Sequence, residues 1–149
     1  MSAWFRYMGI FYICINTLFA VTPFSINGLK KMSVHVADYS GLLDKSMKGK
    51  LEAKMHKRLK KLGIMSDGFY NETLILLMKS QKVGKITLLN LDLMVSGDVK
   101  RMRQEQPTFG ITYLLQDSVE VEDAPADAMD ALEYLLEEFS DQYRQDNEE

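Results

Sequence analysis

Residues 69–95 read FYNETLILLMKSQKVGKITLLNLDLMV, and the fold class depends on how this run divides. Its first half, Phe69 to Lys82, reads as a helix centred on Leu74 to Met78 and ending near Gly84, a residue suited to a break. Its second half, Lys85 to Val95, supports two readings. Ile86, Leu88, Leu89, Leu91 and Leu93 alternate with one slip, as in a strand. Ile86, Leu89 and Leu93 alone share a helical face.

Upstream, Ser66-Asp67-Gly68 marks a turn. Before it, Leu43, Met47, Leu51, Met55 and Leu59 recur at steps of four, with Leu62 closing the set and Gly63 as a stop. Each such step drifts by about 40° around a helix, so the apolar stripe spirals. Gly49 within it costs about 1 kcal/mol relative to alanine. Asp38 or Ser40 is the expected cap. Val34 and Val36 alternate with Ser33 and His35 as a short strand.

Downstream, Ser96-Gly97-Asp98 is expected to break the chain. Val99 to Gln106 reads as a short helix ended by Pro107. Thr108 to Leu115 has strand-like residues, and Val119 and Val121 alternate with acids as in an edge strand. The last element has the plainest pattern. Pro125 suits a first helical turn. Met129, Leu132, Leu136, Phe139 and Tyr143 recur at three and four, with Asp127, Asp130, Glu133, Glu137, Glu138 and Asp141 on the other side. The expected fold is therefore α+β and mainly α: one compact domain with about four helices and a small sheet. Residues 32–118 form its core with a basic helix, 119–149 an acidic amphipathic helix and tail, and 1–31 an apolar preceding segment.

Charge is distributed unevenly along the 149 residues, which carry −3 in total. Residues 32–84 hold ten cations against five acids, and residues 119–149 hold Arg144 against twelve acids. Between Lys48 and Lys61 lie seven cations, with Lys45 one turn earlier. Like charges one turn apart destabilise a helix by about 0.2–0.5 kcal/mol per pair, so an anionic partner is expected to offset them. That partner is either external or the chain's own acidic helix.

The stretch from Tyr7 to Ser25 has no charge and is long enough to cross a hydrocarbon core. Four readings compete: a cleaved signal peptide, a retained signal anchor, a core segment, or a non-native extension before a true start at Met32. The last places the protein in the cytoplasm or nucleus, and the anchor reading makes it membrane-associated. Cys14 is the only cysteine, so no disulfide forms within the chain.

No catalytic pattern stands out. His35 and His56 have no nucleophile at a telling spacing, the glycines form no phosphate-cradling loop, and Glu120, Glu122, Asp123 and Asp127 lack the spacing of a calcium loop. No metal or cofactor is expected. Asn71-Glu72-Thr73 matches a glycosylation sequon, which matters only if the chain is exported.

The leading expectation is a non-enzymatic regulatory or adaptor protein that binds an anionic partner, nucleic acid above all. Lys54, Lys57, Arg58, Lys60 and Lys61 on the basic helix would contact phosphates and make binding salt-dependent. Lys100, Arg101 and Arg103 would add a second contact, in one reading as the recognition helix of a helix-turn-helix. Met129, Leu132, Leu136 and Phe139 would dock a protein partner or a second copy. The rival expectation is a membrane-tethered interaction module anchored by residues 7–25, with the basic helix on anionic lipid. A small enzyme without a local motif is the third.

Overall fold

A computed structural model describes residues 26–99 and 106–147. Its elements run in the order β1 (Ser33–Asp38), α1 (Lys45–Lys61), β2 (Thr73–Val83), β3 (Ile86–Val99), β4 (Thr108–Glu120) and α2 (Ala124–Asn147). The strands form one sheet in the order β1-β2-β3-β4. β1 and β2 are parallel, joined through α1, and the remaining pairs are antiparallel.

The expectation of a mainly α fold with about four helices is corrected. The described residues form two helices and a four-stranded mixed sheet, with about 40% strand against 35% helix among them. The error lies in the stretch from Phe69 to Lys82, which is not a helix: most of it is β2. Leu74, Leu76 and Met78 are fully buried, while the intervening Ile75 and Leu77 are half-buried on the opposite face. A strand apolar on both faces loses its alternation and looks like a buried helix segment. Gly84 and Lys85 are the two-residue loop of a β2–β3 hairpin whose last pair is Val83 with Ile86. Gly84 alone of the two carries a positive φ, 63°, as a type II′ turn requires at its first central position.

Ser96, Gly97 and Asp98 do not break the chain but continue β3. The helix-turn-helix is overturned with them, because its first helix is a strand. A bulge opposite Val95 and Ser96 leaves Thr112 unmatched on β4 and corrects the register beyond it.

Both helices lie on one face of the sheet. Met47, Leu51, Met55 and Leu59 of α1 join Leu132, Leu135, Leu136 and Phe139 of α2 over Leu74, Leu76, Leu91 and Leu93. The Phe139 ring meets Tyr113 edge-on at 5.7 Å and stacks with Tyr143 at 6.4 Å. Asp44, not Asp38 or Ser40, caps α1, accepting from the Met47 N–H at 2.6 Å. The carboxylate of Asp38 instead binds the Ser40 N–H and hydroxyl and pairs with Lys48 at 3.4 Å. Burial pushes its pKa up, but the Ser40 hydrogen bonds and Lys48 outweigh that and hold it below the usual value.

Residues 26–31, assigned by sequence to the apolar segment, take part in this core. Ile26 is 1% exposed and Met32 is fully buried. The Ile26 N–H donates to Asp146 Oδ2 at 2.8 Å, and the Tyr143 hydroxyl donates to the Leu29 carbonyl at 2.9 Å. The stretch Tyr7–Ser25, with Cys14, lies outside the described residues. Among the described residues, no helix is long and apolar enough to cross a membrane.

Candidate polyanion interface

The stripe at steps of four turns α1 so that its buried side faces the sheet and its cations divide among three directions. Lys48 reaches down to Asp38 of β1. Lys54 and Arg58 lean towards α2, where both meet Glu133: Lys54 Nζ lies 2.7 Å from Oε2, and the Arg58 guanidinium binds Oε1. Lys54 also donates to the Met129 carbonyl at 3.3 Å. The Lys54 hydrogen bond and the charges of Lys54, Arg58 and Lys61 hold the Glu133 carboxyl below its ordinary pKa, against a smaller opposing effect of burial.

Lys45, Lys50, Lys57, Lys60 and Lys61 are exposed, and none has an acidic oxygen within 4 Å among the described residues. The crowding of charge thus has an answer in two parts. α2 offsets Lys54 and Arg58 internally, and Asp38 offsets Lys48. Lys60 and Lys61 fall in the last helical turn, where cations complement the helix dipole by about 0.3–1 kcal/mol each. That effect fades within one turn, so it does not account for Lys50 or Lys57.

Lys57 stands between two concavities. One, about 470 Å³, is lined by Lys54, Arg58, Lys61 and Glu133. The other, about 750 Å³, is lined by His56, Lys57 and Lys60 of α1 and by the turn Gly63–Asp67. In the larger, His56 Nδ1 and Ser66 Oγ are 2.7 Å apart. The turn brings them together: Gly63 adopts φ 76°, and the Ile64 N–H bonds back to the Leu59 carbonyl. Ten residues separate the pair, so no local motif reveals it; the sequence shows only a polar turn after a helix stop.

Of the expected contact residues, Lys54, Lys57, Arg58, Lys60 and Lys61 lie together on α1, two of them paired with Glu133. Lys100, Arg101 and Arg103 lie outside the described residues. The expected docking face on α2 is spent internally. Leu132, Leu136 and Phe139 are 0% exposed, and Met129 is partly buried against the same core. Helical periodicity locates an apolar face but does not say whether a sheet of the same chain covers it. The clustered acids at the start of α2 serve its N-terminus: Asp127 accepts from the Glu122 and Asp123 N–H groups, and Asp123 accepts from Ala126.

The sequence matches no protein-family model and no curated protein.

Proposed function

We propose that this protein is a non-enzymatic binding module that holds an anionic macromolecule, nucleic acid, along the outward side of α1. The observation that carries the reading is the set Lys50, Lys57, Lys60 and Lys61. These four are exposed, lie on or beside one helical face, and have no acidic partner among the described residues. Phosphates spaced along a backbone match such a row, and their neutralisation releases condensed counterions. The mutual repulsion of the lysines is a cost to the free protein that a bound polyanion removes. Lys54 and Arg58, held by Glu133, are partners of α2 first and contribute a weaker field to the same side.

The test is Lys57→Glu combined with Lys61→Glu, measured by fluorescence anisotropy on labelled nucleic acid across a salt series. Neither side chain is buried, so the fold is retained. Binding is expected to weaken, and the slope of log Kobs against log salt to fall by roughly 0.7–0.9 for each phosphate no longer neutralised. Unchanged affinity and slope in the double variant would remove the reading.

A further inference from the structure

We infer that the nucleic acid is a single strand, which seats a phosphate in the 750 Å³ cavity at the end of α1 and stacks a base on Phe69, two residues beyond the cavity's lining. This rests on the reading above and narrows it. Lys57 and Lys60 supply two cations to the cavity against one lining carboxylate, Asp67, so its local charge favours an anion. The His56–Ser66 pair offers a donor in either state of the imidazole. With His56 neutral and Nδ1 accepting from Ser66, the hydrogen sits on Nε2. With His56 charged, Nδ1–H donates to Ser66 and frees the hydroxyl hydrogen. Ile64 and Met65 give the same cavity apolar lining, which a bare inorganic anion would not use.

The loop beyond the cavity is built to hold one ring outward. Ser33 Oγ accepts from the Tyr70 N–H at 2.7 Å and lies within hydrogen-bond reach of the Gly68 and Tyr70 carbonyls. Tyr70 folds back over Gly68 so closely that a Cβ there would sit 2.9 Å from the tyrosine hydroxyl. Lys31 Nζ stands 5.6 Å from the centre of the Tyr70 ring. The loop is thus pinned on both sides of Phe69, whose side chain is nevertheless fully exposed at 104%. Met65, 56% exposed, bridges to Lys31, so Lys30 and Lys31 flank the same ground. A pinned, exposed aromatic near cations that have no acidic partner among the described residues is the composition of a surface that binds single strands. Bases unstacked from a partner strand lie on the ring while lysines track the phosphates. A duplex keeps its bases stacked inside and has no use for Phe69.

The experiment compares the full chain with Phe69→Ala, Phe69→Tyr and Ser66→Ala, titrated by anisotropy against single-stranded DNA and RNA of about twelve nucleotides and a duplex of the same sequence. The strand is expected to bind at least about tenfold tighter than the duplex. Phe69→Ala should lose roughly 5- to 150-fold on the strand alone, the range that removal of one stacking platform gives. Phe69→Tyr should keep most of the affinity, and Ser66→Ala should weaken binding of both DNA and RNA strands. If strand and duplex bind alike and Phe69→Ala changes neither, the inference falls while the α1 reading stands. Absence of binding to every probe overturns both.

Discussion

Ile26→Ala tests whether the described fold begins before Met32. The Ile26 side chain is 1% exposed and belongs to the central apolar cluster. Burying an isoleucine is worth about 1.5–3 kcal/mol. Truncating one to alanine in a core costs about 2–5 kcal/mol once the cavity is included. Ile26 is among the largest fully buried side chains, so the whole of that range applies: about 2–5 kcal/mol. The variant keeps the backbone N–H that bonds to Asp146, which isolates the side chain. For a chain of this size about 2–4 °C of Tm accompanies each kcal/mol, giving a fall of roughly 4–20 °C. Urea unfolding followed by far-ultraviolet circular dichroism reads the same loss as a drop in midpoint at unchanged slope. Val83→Ala, at a 48% exposed position, is the control and should stay within about 0.5 kcal/mol. An Ile26 variant as stable as that control would refute the placement of residues 26–31 in the core.

Glu133→Gln removes the shared partner of Lys54 and Arg58, so affinity for nucleic acid and the steepness of its salt dependence should both rise. The stability cost should be no more than about 1 kcal/mol, since the pair is partly open to water. Because the folded Glu133 pKa is depressed, its contribution is present above the unfolded value of about 4.5 and is lost as pH falls through the folded one. The variant's acid unfolding curve should be flatter in that window. Tyr113 has its pKa raised to about 12 by burial and by the charges of Glu138 and Asp146. Its contribution is full below about 10 and is lost as pH rises towards 12. In an ultraviolet titration it should ionise late, and Tyr113→Phe should remove its late step and the matching alkaline loss of stability.

The elements legible in the sequence are those with one buried face. α2 shows itself in spacings of three and four, because its acids from Asp127 to Asp141 lie off its buried face. The stripe Leu43–Leu59 marks α1, and Val34 and Val36 mark β1. The hairpin β2–β3 is not legible from periodicity, because Ile75 and Leu77 make the side of the sheet away from the helices apolar as well. Its signal is the Gly84-Lys85 loop, which fits a two-residue turn as well as it fits a helix end. At the candidate site, the lysines of α1 are legible as charge, but their division is not. Which of them meet Glu133, 75 residues from Arg58, is a fact of packing. The same holds for His56 with Ser66 and for the pinning of Phe69 by Ser33.

The hydrogen bond from Ile26 to Asp146 spans 120 positions of the chain, which gives it a consequence for biosynthesis. At roughly 5–20 residues per second, a ribosome releases residue 146 about 6–24 s after residue 26. For much of that interval the leucines of β2 and β3 have been made, and the helix that roofs them has not. The nascent chain therefore carries an oily, half-shielded surface until the final turns of α2 emerge, and a ribosome stalled before Phe139 would hold a product fit for a chaperone rather than a closed fold.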